Sequence, residues 1–398
     1  MISSLFLAAV ITAPQQVLPP GGADSPPNSR LAPAQEGQGP ISLGTGPWTI
    51  LPVPLVSYDS DNGLGLGLAA ALFYNDGVSE PYRFSLIAQI LGTTDGVTQD
   101  YVKLDYLNLF GSGLRLNAEA RFLHEPNASW FGIGNTTQNL AGEPTDYYQY
   151  HRTAPALRTV LRHVILGGWY GYAGYLLEDM FIQPYPGSLL VEQQPLGIGG
   201  GLNAPVMLGI AYDSRDFEPW PTSGEYTDLS FRAAEPWTGS QYAWVGGTLV
   251  WRTYDSLPWR LVFAQRFLAD VMYGNVPFFA EDETGGLEEL HGLGGWSTLR
   301  GFVKDRFLGD GKVLENLELR RFFLGLTPFH QRIDLGFTAF ADLGRVYGES
   351  FVDGPPLLIH WDLGGGLRAM LNRNLVIRAD VGASDEGPRI YLLFGNLF

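Results

Sequence analysis

From Trp48 to the chain end, apolar and polar residues alternate with a period of two. Between Leu114 and Phe122, Arg115, Asn117, Glu119 and Arg121 share one face, and Leu114, Leu116, Ala118, Ala120 and Phe122 share the other. The same pattern sets Leu335, Phe337, Ala339, Ala341 and Leu343 opposite Asp334 and Asp342, and sets Leu375, Ile377, Ala379 and Val381 opposite Arg378 and Asp380. Such alternation predicts strands with one apolar and one polar face. The expected strands lie near 47–58, 63–74, 82–92, 98–109, 113–124, 152–163, 166–178, 202–213, 224–235, 241–254, 258–272, 313–324, 332–343, 360–371, 374–382 and 389–398. That is an even count of about sixteen, as in single-chain membrane barrels.

Alternation alone suits a soluble sandwich as well as a barrel with its apolar face towards lipid. Length favours the barrel: many segments run to roughly 10–12 residues, enough to cross a bilayer at a tilt and longer than the usual soluble strand. The connections point the same way. Gly111-Ser112-Gly113, Asp255–Leu257 and Leu371–Asn374 are tight, whereas 125–151, 179–201, 273–312 and 344–359 are long. Short turns on one rim and long loops on the other are the outer-membrane arrangement, and 214–223 is its main exception. Trp169, Tyr170, Tyr172, Tyr175, Trp244, Trp251 and Trp259 fall near strand ends, where an interfacial girdle or ordinary core packing would place them. The fold class expected is all-β, a transmembrane antiparallel β-barrel.

Composition narrows the function. The 398 residues include 25 basic and 41 acidic side chains, so 25 − 41 gives a net charge of −16, which disfavours a nucleic-acid partner. The chain has 51 glycines and no cysteine, which removes disulfides, thiolate metal sites and a cysteine nucleophile. No apolar run of about 18 residues is present, so a helical membrane bundle is excluded. Ile2–Ala13 is a short apolar stretch read as a signal peptide over residues 1–13, with cleavage after Ala13 or Ala34 both open. Residues 14–46 form a Pro/Gly-rich linker, and 47–398 form the barrel domain. No GxSxG element, HExxH pair or phosphate loop occurs and the six histidines are scattered, so neither an enzyme nor a cofactor or metal is expected. Glu281, Asp282, Glu283, Glu288 and Glu289 are read as a solvated acidic face or a weak Ca²⁺ site.

Three motifs stand in order along the barrel. Tyr212-Asp213-Ser214-Arg215-Asp216 is followed by Pro221-Thr222-Ser223-Gly224. Gly292 to Phe302 contains Leu299-Arg300-Gly301-Phe302, and Glu315 to Arg320 precedes Phe340-Ala341-Asp342-Leu343-Gly344. Together these resemble the BamA/TamA outer-membrane assembly superfamily of bacterial surface antigen barrels, over about residues 48–398. The resemblance implies a long loop between the eleventh and twelfth expected strands that folds back into the lumen. Its tip carries Arg300, Gly301 and Phe302, and Arg300 pairs with Asp342 and with Glu318, in the sequence block that ends Phe340-x-Asp342-x-Gly344. Members that assemble or translocate proteins carry POTRA modules before the barrel, and the 14–46 stretch is too short for one. A separate periplasmic delivery partner is therefore expected.

Pro52 and Pro54, two apart on the first strand, remove two donors from one edge. If that edge meets the last strand, the closing seam is weak; otherwise the strand simply begins at Val53 or Leu55. Phe394 and the terminal Phe398 complete the expected seam, with Ile390, Leu392 and Phe394 alternating outward. Phe398 looks like the C-terminal signal that outer-membrane assembly machinery reads. The expected partners are lipopolysaccharide and phospholipid of the outer membrane, and nascent outer-membrane proteins. Three functions follow from these features: a protein-insertion or translocation factor, a gated pore, or a structural surface protein.

Overall fold

A computed structural model describes residues 46–79, 82–140, 142–217, 220–288, 290–327, 332–348, 355, 358–371, 375–395 and 397–398. The stretch expected as a signal peptide, nearly all of the expected linker, residues 372–374 of the expected tight turn and Glu289 lie outside the described residues. Seventeen strands follow in chain order: β1 (Trp48–Asp59), β2 (Gly63–Tyr74), β3 (Phe84–Thr93), β4 (Thr98–Tyr106), β5 (Leu114–Ser129), β6 (Gln149–Leu166), β7 (Trp169–Pro184), β8 (Gly201–Asn203), β9 (Val206–Asp213), β10 (Gly224–Ala234), β11 (Trp244–Leu257), β12 (Leu261–Gly274), β13 (Gly311–Leu326), β14 (Ile333–Tyr347), β15 (His360–Leu371), β16 (Leu375–Ser384) and β17 (Gly387–Phe394). All pairings are antiparallel, and β17 returns to β1. Sixteen strands close the ring; β8 lies outside it and pairs only with β7.

The segment expected as one strand over 202–213 is broken at Ala204-Pro205. Pro205 has no N–H to give the ladder, although its carbonyl still accepts from the Leu176 amide at 3.1 Å. β5, β6 and β7 run well past their expected ends, and β6 is 18 residues long. Asp255–Leu257 is strand rather than turn. The reversal falls at Pro258–Arg260, where Trp259 (φ 63°) and Arg260 (φ 58°) adopt left-handed backbone.

The face that each strand buries decides between sandwich and membrane barrel. On β15, Arg368 is 2% exposed and its neighbour Leu367 is 64% exposed. On β6, Arg158 and Arg162 are buried and Leu157 and Leu161 are exposed. Charged residues therefore face the ring interior and leucines face out, which is favourable only if the outside is apolar. The aromatic residues divide accordingly. Trp169, Trp251 and Trp259 are on the outside, whereas Tyr170, Tyr172 and Trp244 are buried within and do not form a girdle. An outer aromatic series runs instead from Tyr74 through Trp48, Phe84 and Tyr106 to Phe110.

The ring closes over a short seam. β1 pairs with β2 along its whole length, from Trp48↔Tyr74 to Asp59↔Gly63. With β17 it pairs only at Tyr58↔Leu392 and Asp59↔Tyr391, followed by the Ser60 amide donating to the Ile390 carbonyl at 3.1 Å. The Asn75 amide donates to the Pro47 carbonyl, so the odd-numbered backbone groups of β1 bond to β2. The even-numbered groups, those of Pro52 and Pro54 among them, face the seam.

The expected strand 389–398 stops at Phe394. Gly395 (φ 84°) turns the chain, and Leu397 and Phe398 fold inward against Tyr254 and Ala264. Arg320 donates to the Phe398 carbonyl at 3.0 Å, and the Arg320 and Arg266 guanidiniums lie 4.8 and 5.1 Å from its ring. Phe398 therefore does not extend the outward alternation. Phe394 packs against Val53, Leu55 and Ala69, on the inner side of β1 and β2. Hydrogen exchange checks the seam geometry. The Ile50 amide, which faces the seam, is expected to exchange fast, while those of Leu51 and Val53 should be protected like the middle of the barrel. Uniform protection along β1 contradicts this.

Candidate functional site: the segment between β12 and β13

The segment 275–310 joins β12 to β13 and carries the Arg300 tip. Its local fold rests on Thr298. The Thr298 hydroxyl accepts from the Gly294 amide at 2.9 Å and sits 2.8 Å from the Gly292 carbonyl. Gly294 (φ 124°) permits this turn, because a Cβ there would lie 2.0 Å from the Val303 carbonyl oxygen. Leu293, Leu299, Phe302 and Phe307 then bury together against Val250, Leu268, Leu314 and Val346 of the strands.

Arg300 is fully buried. Its Nε and Nη2 donate to the two carboxylate oxygens of Asp342 at 2.7 and 2.8 Å, and Nη1 donates to Glu318. The guanidinium carbon lies 3.4 Å from the Phe340 ring centroid. One fork thus holds carboxylates from two adjacent strands, β13 and β14.

Glycine at 301 is required by close approach, not by an unusual φ. A Cβ there would lie 2.5 Å from the Asp362 Cβ and 2.9 Å from the Ala383 carbonyl carbon. The Ser384 hydroxyl donates to the Gly301 carbonyl at 2.7 Å. Phe302 meets Phe307 and His360 edge-on at 5.3 and 5.9 Å. Gly344 leaves room for Leu293 and Leu299, whose methyls would lie 2.9 and 3.2 Å from a Cβ.

Several members of this cluster were not expected in the lock. Asn316 donates to the Thr298 carbonyl at 2.8 Å and to Asp342 at 2.7 Å, while Arg266 Nε donates to Asn316 Oδ1 at 2.9 Å. Arg320 holds the second oxygen of Glu318 at 2.7 Å. Asp380 lies 3.7 Å from Arg300, and Asp362 stands directly opposite Asp342 in the ladder. Asn316 and Arg320 stand in the Glu315–Arg320 block without a role assigned from it, and Asp380 was read as inward; Arg266 and Asp362 carried no signal beyond their place on a strand.

Among the described residues, the acidic stretch of the same segment is not a solvated face but is paired with cations of the barrel wall. Glu281 and Asp282 are buried. Asp282 takes Arg152, Glu283 takes Arg121 and Glu288 takes Arg252, each cation coming from a strand. Lys304 pairs with Glu125, and its amide donates to Asp61 at 3.1 Å. No group of metal-ligand residues occurs among the described residues. Burial, with Lys304 nearby, pushes the His291 pKa down to about 4, so this loop histidine is neutral at pH 7. The segment is therefore tied to β5 and β6 as well as to β13 and β14.

The β9–β10 turn is held by local bonds and by contacts with other strands: Trp220 packs on Phe322, and the Ser256 hydroxyl donates to the Thr222 carbonyl at 2.9 Å. Arg215 grips Asp213 through Nε and Nη2 at 3.0 and 2.8 Å, and Asp216 accepts from the Thr222 and Ser223 amides at 2.8 and 3.2 Å.

Comparison with known proteins agrees with the fold. No curated protein matches the sequence. Among solved structures, BamA from Haemophilus ducreyi lacking POTRA domains 1-3 superposes with a TM-score of 0.57 at 15% identity, over 88% of this chain and 70% of that one. CdiB from Escherichia coli gives 0.56 at 13% identity, over 89% and 63%. CdiB from Acinetobacter baumannii gives 0.51 at 14% identity, over 87% and 59%. The chain thus spans about three fifths of the length of the CdiB structures. The model of the Omp85 superfamily domain matches residues 69–391. With the closed ring, its charged interior and its apolar exterior, that match identifies the chain as an outer-membrane β-barrel belonging to the Omp85 superfamily.

Proposed function

We propose that this barrel inserts or translocates proteins at the outer membrane by opening its seam to a client strand. The observation that carries the reading is the seam itself: two register pairs join β1 to β17, against twelve joining β1 to β2. The seam edge of β1 keeps its carbonyl acceptors but lacks donors at Pro52 and Pro54. A client strand can add to such an edge by main-chain hydrogen bonds and still leave it readily. In this reading the 275–310 segment occupies the lumen, and Arg300, Glu318 and Asp342 lock it there. A separate periplasmic partner delivers the client, and the outward leucines meet phospholipid and lipopolysaccharide.

The test times the folding of a small unfolded client barrel in liposomes that carry the protein. Folding faster than in empty liposomes is the expected result; equal rates contradict it. A gated pore is the second reading, favoured by the ring of inward Arg and Asp residues on β12 to β16. A conductance without any effect on client folding would select it.

A further inference from the structure

The tip is tied to more than the carboxylates of β13 and β14. It also connects to the tail that follows β17. Gly395 turns this tail inward on the short-turn rim, which is the periplasmic one in such barrels. Leu397 and Phe398 are buried there beside Tyr254 and Ala264.

Two arginines reach both tail and tip. Arg266 of β12 is fully buried and binds three elements at once. Its Nη2 donates to the Ser297 carbonyl of the tip segment, its Nη1 to the Leu397 carbonyl of the tail at 3.3 Å, and its Nε to Asn316 of β13. Arg320 is equally buried. It spans the Phe398 carbonyl and Glu318, the carboxylate that also takes Arg300. The Phe398 ring lies against both guanidiniums. One route from tail to tip therefore passes through Arg266 alone, and the other through Arg320 and Glu318.

The charge on Arg266 makes its route sensitive. Among the described residues it forms no ion pair. Neutral oxygens of Ser297, Leu397 and Asn316 hold it, with the Phe398 ring beside them. A buried cation held by so few acceptors loses much when one of them goes. If the tail leaves, an N–H of Arg266 has no acceptor and the nearest water stands where the tail was. Turning towards that water draws the guanidinium off Ser297. If the tip leaves first, the guanidinium turns to water in the vacated lumen and lets go of Leu397.

We propose that tail and tip hold each other in place through Arg266 and Arg320, so that release of either loosens the other. Such coupling is reciprocal: each end changes the other's equilibrium by the same factor. The coupling does not depend on the insertion reading. Where that reading holds, a client that draws β17 aside also loosens the Arg300 lock from the periplasmic side.

The test uses the full chain in phospholipid bilayers without a client, so its outcome is separate from that of the folding assay. The chain has no cysteine, so Leu397→Cys reports the tail by its rate of reaction with a water-soluble maleimide. Gly301→Ala loosens the tip where it bears on β15 and β16, away from the tail. It should speed modification at position 397 about tenfold, and Phe398→Ala should speed proteolysis across 290–305 by a similar factor. Arg266→Gln should reduce both factors. Ala69→Cys, on the buried inner face of β2, should stay unreactive in every variant. Heat-modifiable gel mobility verifies that each variant is a folded barrel. Modification at 397 unchanged by Gly301→Ala, or proteolysis unchanged by Phe398→Ala, overturns the coupling. Equal speeding at position 69 also overturns it, because the whole barrel has then loosened. Factors unchanged in folded Arg266→Gln overturn the route through Arg266.

Discussion

Arg300→Ala is expected to turn a closed barrel into a steadily conducting one. The substitution removes the cation that Glu318 and Asp342 share: Glu318 keeps Arg320, whereas Asp342, buried, keeps the Asn316 amide and loses its two-pronged contact. Breaking a buried pair in this way costs about 3–5 kcal/mol. The nearest relief is water, which reaches the carboxylates only if the tip moves away. Arg300→Lys should not restore the closed state. A single ammonium cannot make the two-pronged contact to Asp342 and also reach Glu318, and Lys loses the planar face that lies 3.4 Å from the Phe340 ring centroid. Single-channel recording in planar bilayers checks this. Long open events in both variants and brief or no events in the native protein are expected. Equal conductance in all three contradicts the lock.

Gly301→Ala should undock the same tip with every charge kept. The added methyl would meet the Asp362 Cβ at 2.5 Å and the backbone of Ala383 and Ser384 at 2.9 Å. Backbone cannot rotate aside as a side chain can, so the strain falls on the tip. Overpacking of this kind costs about 1–3 kcal/mol, less than the loss of Arg300. Limited proteolysis across 290–305 reads the result: cleavage faster than in the native protein but slower than in Arg300→Ala. A fully protected segment would mean that the tip does not bear on β15 and β16. The pair of variants separates charge from shape, since only one of them alters an ion pair.

Much of this was legible in the sequence, for identifiable reasons. Strands facing lipid and a charged interior alternate strictly, so the ring and its inward faces could be read from period alone. Pro52 and Pro54 mark a donor-poor edge wherever a strand contains them. Arg300, Asp342 and Glu318 were found because they stand in motifs. Asn316 stands in the same block as Glu318, and Asp380 on an inward face, but their part in the lock, like that of Asp362, depends on the register between strands distant in sequence. The acids at 281–288 resembled a solvated run, since nothing local shows that Arg152, Arg121 and Arg252 reach them from the strands. The turn of Phe398 was hidden by the regular alternation of Ile390, Leu392 and Phe394 just before it. The break at Pro205 was visible as a proline but not as a split, because apolar residues continue on both sides.

The most direct measurement of the central claim locks the seam. The chain has no cysteine, so Tyr58→Cys with Leu392→Cys introduces a single possible disulfide. The two positions are register partners, and partners of this hydrogen-bonded kind stand about 5.5 Å apart at Cα, within disulfide range. Client folding is then timed in liposomes, with one preparation oxidised and afterwards reduced. The account predicts a rate that falls to that of empty liposomes when oxidised and recovers on reduction. An oxidised protein that still accelerates client folding fully would show that the seam does not open to the client.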